Sequence, residues 1–167
     1  MSYDYFENET RKHQQEVSCI MIDIAKRILD RATTHDASKL KDPEREIFAK
    51  HTKNLKNLTY GSDEYKKELE LMKPALDHHY SSNHHHPEFN LINCFSNPGL
   101  EVDGVHLIDI VEMFCDWVAA TKRHADGNIG YSININQKRF SMTNQLTQIL
   151  RNTAESLGVL YAKGAER

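Results

Sequence analysis

Apolar side chains recur along the chain at helical spacing and almost nowhere in strict alternation. From about Asn8 to Ala32 they fall at Val17, Ile20, Met21, Ile24, Ala25, Ile28 and Leu29, the series that lines one face of an amphipathic helix. The segment THDASKLKDP then reads as a loop. Pro43 at its end suits the first turn of a second helix, expected to run to about Leu58. Gly61-Ser62-Asp63 supplies a break and an N-cap for a third helix from Asp63 towards Tyr80, which Pro74 should kink or restart. Residues 81–104 carry Asn, Pro and Gly with little periodicity and read as one long ordered loop. A fourth helix is predicted from about Val105 to His124, followed by a turn at Asp126-Gly127-Asn128 and a short helical piece. The last helix runs from Thr143 to about Tyr161. Its apolar Leu146, Ile149, Leu150, Ala154, Leu157 and Leu160 pack either on the core or against a second copy of the chain, which would make a homo-oligomer.

Strand patterns are nearly absent, there is no internal repeat, and no linker divides the sequence. With 167 residues the chain is long enough to close one hydrophobic core. The expectation is an all-α, single-domain helical bundle spanning residues 1–167, with a long ordered histidine-rich loop.

Composition narrows the function. Lys and Arg (21) against Asp and Glu (24) leave a net charge of −3, which excludes a broadly basic surface gripping a nucleic-acid polymer and favours a small ligand. No apolar run approaches the roughly 18–20 residues of a membrane span. The opening MSYDYFENET is acidic and unlike a secretory signal. Cys19, Cys94 and Cys115 are odd in number and widely spaced, which points to a reducing cytoplasm rather than a disulfide framework. Cys115 reads as an inert buried thiol, with Phe114 and Trp117 as core. Histidine changes the picture: there are ten, five of them between His78 and His86.

Three constellations carry candidate chemistry. At the expected end of the first helix, His35-Asp36 offers an imidazole nitrogen and a carboxylate oxygen to one divalent ion, a mixed set that suits Zn, Mn, Fe or Co. Lys39, three residues on, is placed to hold a phosphoryl oxygen. The run His78-His79-Tyr80-Ser81-Ser82-Asn83-His84-His85-His86-Pro87-Glu88 makes sense mainly as neutral ligands, since protonated rings so close would repel. Pro87 restricts His86 to extended geometry, and Asn83 or Glu88 would fix tautomers. On the fourth helix Asp109, Glu112 and Asp116 share one face within about 60° of each other. Such like-charged neighbours call for a cation opposite.

Together these segments resemble the HD-domain superfamily of metal-dependent phosphohydrolases, all-helical proteins named for an H…HD…D ligand set. HDASK at residues 35–39 resembles the HD-x-G-K form, with Ser38 in place of glycine. His13 with Val17 resembles the opening H-x-x-x-V helix, and FCDWVAA at 114–120 the closing helix, in which Asp116 is the last metal ligand. The combined pattern HDASK…HHYSSNHHHPE…EMFCDW is similar to a small family of uncharacterised phage and bacterial proteins, which implies a host cytoplasm if the chain is phage-encoded. His13 departs from the superfamily pattern. Only 22 residues separate it from His35, with no Gly or Pro between Arg11 and His35. Either the helix breaks near residues 30–34, or His13 is a core histidine outside the metal's reach. The short gap between His79 and His85 is likewise unlike the superfamily.

The resemblance implies a phosphohydrolase acting on a nucleotide or other small phosphoester, mono- or cyclic diester. His35, Asp36, His79, His85 and Asp116, with His86 and Glu112 as the next candidates and His13 as the weakest member, would hold one or two divalent ions (Mn, Mg, Zn, Co or Fe). Lys39, Asn83 and Arg123 would bind the substrate, while Lys39, Glu112 and His86 would serve catalysis by neutralising charge and moving protons. Two alternatives keep the same pocket. One is a binding module that captures a nucleotide or partner without turnover, and the other an HD-type di-iron oxygenase.

Overall fold

The computed structural model describes residues 3–59, 62–89, 104–123 and 127–160. The fold is all-α, as the periodicity predicts. Its elements are α1 (Asp4–Thr34), a single 3-10 turn (Ala37–Leu40), α2 (Glu44–Lys56), α3 (Asp63–Ser82), α4 (Leu107–Thr121), α5 (Ile129–Arg139) and α6 (Asn144–Ser156). The backbone is helical again at 87–89. No helix among the described residues is long and apolar enough to cross a membrane. The chain divides into two compact units, residues 1–35 and 36–167.

The first unit is α1, 31 residues without a buried side chain. The helix is continuous through residues 30–34, where a break was one of the two expectations for His13. Its apolar stripe is present, and within this unit Ile20, Met21 and Leu29 are all more than 60% exposed.

In the second unit α2 and α3 pair, and the 3-10 turn packs on both. Ser62 caps α3, its Oγ accepting from Tyr65 N at 3.1 Å, a bond that typically adds about 1 kcal/mol. Pro74 does not restart this helix, which is continuous from Asp63 to Ser82. Burial of Met72 and Ala75 on either side of it holds the helical path. Between α2 and α3 the buried His51 meets Glu68 through Nδ1 and Oε1 at 2.8 Å, and Asn54 Nδ2 donates to the same oxygen at 2.8 Å.

The apolar core lies in the other half of this unit. Met113 and Phe114 of α4, Ile129 and Ile133 of α5, Leu150 and Ala154 of α6, and Phe140 and Met142 between the last two helices form one cluster. Trp117 packs against it, half-buried. Cys115 lies on the opposite side of α4 and is exposed, not buried as expected. Partial burial and the neighbouring Glu112 charge still raise its thiol pKa, which disfavours the nucleophilic thiolate. The segment after Gly127 is a full helix, capped by Asn128 Oδ1 accepting from Tyr131 N at 3.0 Å. The last helix ends at Ser156, short of the expected boundary at Tyr161, which lies outside the described residues. Gly158 adopts φ +67° there, with Val159 N bonded to the Ala154 carbonyl and Gly158 N to that of Glu155, both at 2.9 Å. This doubly bonded stop requires a left-handed residue, which glycine adopts without a Cβ penalty. Leu150 and Ala154 place α6 on the core, while Ile149 stays 59% exposed. Expectations for most of the loop at 90–103, and for Cys94, His124 and Asp126, fall outside the described residues.

Candidate metal centre

The two halves of the second unit meet at Asp36. This residue opens the 3-10 turn in the left-handed region, at φ 57° and ψ 14°. Asp tolerates that conformation better than most residues. It nonetheless costs of order 1 kcal/mol, the kind of strain that collects where function needs a side chain aimed. Around the Asp36 carboxylate gather His79 from the end of α3 and His85 and His86 from the turn that follows. One ligand atom from each of the four lies within 4.8 Å of the others.

Each histidine is oriented from behind. His79, 1% exposed, donates from Nδ1 to Glu44 Oε2 at 2.9 Å, and its Nε2 lies 3.1 Å from Asp36 Oδ1. A neutral ring that donates through Nδ1 presents a lone pair at Nε2. Although Asp36 Oδ1 is close to that nitrogen, the direction is wrong for a hydrogen bond, and the buried Nε2 has no hydrogen-bond partner. His85 repeats the pattern, with Nδ1 3.2 Å from Glu112 Oε1 and Nε2 3.6 Å from Asp36 Oδ1. Donor atoms around a tetrahedral ion at 2.0–2.1 Å stand roughly 3.3 Å apart, a value that 3.1 and 3.6 Å bracket. Carboxylates behind two histidines whose far nitrogens converge are the arrangement that fixes metal-binding tautomers.

Glu44 is the residue that sequence reasoning missed. It is wholly buried at the start of α2, where its carboxylate accepts from His78 Nδ1 at 2.8 Å, His79 Nδ1 at 2.9 Å and Ser38 Oγ at 3.0 Å. Acidic residues open many helices as solvated partners of the helix dipole. Nothing local in Pro43-Glu44 therefore marks burial. Ser38, the departure from HD-x-G-K, is here a hydrogen-bonding member of the site.

His86 completes the cluster. Its Nε2 is buried without a hydrogen-bond partner. Burial above all, then the His85 and His79 rings and the Lys39 charge, push its pKa from 6.5 down to about 2 against the opposing pull of Asp36. A ring so reluctant to take a proton is a poor general base and keeps a lone pair for a cation, which favours the ligand reading of His86 over the catalytic one. In the unfolded chain His86 takes up its proton near pH 6.5, whereas in the fold it does so only near pH 2. Its contribution to stability is therefore complete above about pH 6.5 and is lost as pH falls, at up to about 1.4 kcal/mol per unit. For the chelator-treated protein, the unfolding free energy of His86→Asn should fall less steeply between about pH 6 and pH 4 than that of wild type. Equal slopes would refute the assignment.

The remaining candidates fall into two groups. Asp116 joins the site, with a carboxylate oxygen within 4.8 Å of one on Asp36. Glu112, expected as an acid or base, is buried and committed to His85. Lys39 sits at the rim with Nζ 2.6 Å from Asp36 Oδ2 and 5.5 Å from the Phe48 ring centroid. Asp109 is spent on the start of α4, accepting from His106 N at 3.2 Å. Asn83, expected to bind the substrate, ties α3 to the 3-10 turn. Its Nδ2 donates to Ser38 Oγ at 2.9 Å and to the His79 carbonyl at 2.8 Å. Arg123 lies exposed past the end of α4, seven residues and about 10 Å of helical rise beyond Asp116. Glu88, expected to fix a tautomer, instead pairs with Arg139 of α5, and burial together with its charge raises the Tyr80 hydroxyl. His35 ends the first unit, directly before Asp36 in the chain. His13 is exposed on the same unbroken helix, 22 residues and about 33 Å before His35. The two cannot share an ion, and His13 is not a core histidine either.

The geometry defines a helical protein with a three-histidine, one-carboxylate cluster in which His79 and His85 are buried and Asp36 and His86 are partly exposed. The chain belongs to DUF5662, a family of unknown function whose profile matches residues 2–156. No curated protein and no solved structure matches it.

Proposed function

We propose that the chain is a metal-dependent phosphohydrolase acting on a nucleotide or other small phosphoester. The observation that carries this reading is the convergence of His79, His85, His86 and Asp36 beside Lys39. The buried, unpartnered Nε2 atoms of His79 and His86 fit a cation. A mixed nitrogen and oxygen set favours Mn, Fe, Co or Zn over Mg, which prefers an all-oxygen shell. Asp116, and His35 through its place next to Asp36, are proposed as further ligands and would supply what a second ion needs. A divalent ion bound there supplies Lewis acidity and lowers the pKa of a coordinated water.

The chain's own residues supply the rest. Asp36 holds the negative charge of the site, and Lys39, already beside it, binds a phosphoryl oxygen of the incoming anion. Glu44 and Glu112 keep His79 and His85 turned inward so that neither ring swings out to solvent. The net charge of −3 supports a small substrate rather than a polymer.

The test is release of inorganic phosphate from a panel of nucleotides and small phosphoesters by protein purified without a histidine tag and loaded in turn with Mn, Co, Zn and Fe. Turnover by at least one metal form, abolished by a chelator, is expected. Ligands that raise the melting temperature yet remain intact in every metal form would overturn the hydrolase reading in favour of capture without chemistry. An iron charge-transfer band with oxygen uptake would overturn it in favour of an oxygenase.

A further inference from the structure

Two of the three clustered histidines are held by carboxylates, whereas the third is held among rings. His79 has Glu44 at its Nδ1, and His85 has Glu112. The His86 ring packs against those of Tyr80, His79 and His85, at centroid distances of 4.8, 4.8 and 4.2 Å. It lies on the turn between α3 and the helical residues 87–89, so whatever fixes that turn fixes the ring.

Both ends of the turn are tied to one side chain of a distant helix. Arg139, the last residue of α5, donates to Glu88 Oε1, two residues after His86. The same guanidinium donates to the hydroxyl oxygen of Tyr80, on the last turn of α3. A guanidinium carries five donors in one planar fork, so a single Arg serves both acceptors. Its Cζ lies 4.7 Å from the ring centroid of Phe140, which is buried in the apolar core, a contact that holds a cation over an aromatic face. Arg139 thus closes the stretch 80–88, which carries His85 and His86, and fastens it to a helix that supplies no member of the cluster.

We infer that Arg139 is a positioning residue for the cluster, acting through Tyr80 and Glu88 to hold the His86 ring against His79 and His85. The inference rests on the metal-binding reading of the cluster. Loss of the guanidinium has a short route to the ring. Glu88 is 18% exposed, and its Oε2 is buried without a hydrogen-bond partner. Its charge therefore depends on Arg139 for compensation. Deprived of that partner, the carboxylate is more stable in water, and turning outward it draws the preceding turn with it. Tyr80 loses its anchor at the same time, and with it goes the wall on which His86 leans.

The experiment titrates Co(II) into untagged, chelator-stripped protein and follows the visible absorption of the bound ion, which reports the geometry of its ligands. Arg139→Ala is expected to raise the Co(II) dissociation constant of the folded protein about tenfold and to alter the spectrum. Arg139→Lys, which keeps a cation for Glu88, should restore part of both. A merely structural role would lower the unfolding midpoint and move neither. The decisive comparison adds His86→Asn. Because Arg139 acts through His86, Arg139→Ala should cost no further affinity in that background. Without any metal, diethyl pyrocarbonate should modify His86 of the stripped protein several-fold faster in Arg139→Ala than in wild type. Should Arg139→Ala fail to fold, Tyr80→Phe, which removes only the hydroxyl, takes its place in both assays with a smaller expected effect of the same sign. Unchanged cobalt affinity and modification rate, or additive losses in the double variant, overturn the inference alone. Wild type that binds no cobalt overturns the metal reading, and the inference with it.

Discussion

Asparagine in place of Asp36 is expected to leave the fold standing and abolish metal retention. Asparagine is nearly isosteric and accepts the φ of 57° that this position demands. It keeps one oxygen but loses the charge, and with it both the strongest attraction for a divalent ion and the pairing with Lys39 at 2.6 Å. The Oδ1 atom is the point to which His79 and His85 converge, at 3.1 and 3.6 Å, so no other side chain replaces it. Elemental analysis of untagged protein should show metal in wild type and little in Asp36→Asn. Phosphate release should drop by about 10²–10³-fold, the equivalent of 3–4 kcal/mol. Unfolding of the two chelator-treated proteins should differ by less than about 1 kcal/mol. Full metal occupancy in the variant would refute the site. The same assay on Asp116→Ala and His35→Ala reads the ion count, since loss of one equivalent of two marks a second site.

Removing Glu44 should do the reverse and damage the fold before the chemistry. Its wholly buried carboxylate is the common acceptor for His78, His79 and Ser38. Alanine leaves those donors facing a cavity, and a buried donor stripped of its acceptor costs about 1–3 kcal/mol. Glutamine preserves volume but turns one acceptor oxygen into a donor, so it should fall between alanine and wild type. In both variants His79 loses the partner that holds its Nε2 inward, and metal affinity should weaken by about 10–100-fold. Urea unfolding of the chelated protein and metal titration of the folded fraction measure the two effects separately. Unchanged stability in Glu44→Ala would show that the carboxylate does not organise the site.

The contrast between these residues explains how much the sequence disclosed. Helices read well because their signal is local: the stripe on α1 and the break and cap at Gly61 to Asp63 each act over a few residues. His79, His85 and Asp36 were legible because histidines clustered in a loop, and an HD pair at a helix end, are unusual enough to stand out singly. Glu44 was not legible. Its role depends on contacts 34 and 35 residues away, and an acid in the first turn of a helix ordinarily faces water. The acidic face of α4 was half legible. Spacing placed Asp109, Glu112 and Asp116 together, but only coordinates separate the one that caps the helix from the one that holds His85 and the one that meets Asp36. Amphipathicity marks the face a helix seeks to cover and says nothing of where the cover comes from, so the stripe predicts α1 as a helix without naming what packs on it.

The cluster joins parts of the second unit that otherwise have separate support. Asp36, Glu44 and His79 belong to the α2–α3 hairpin and its 3-10 turn, whereas Glu112 and Asp116 stand on the α4–α6 core. A cation seated among them is also a rivet, and its binding energy is counted in the assembly of the whole unit. Scarcity of that ion in the cell would then act on the abundance of the protein through its proteolytic lifetime, as well as on its turnover.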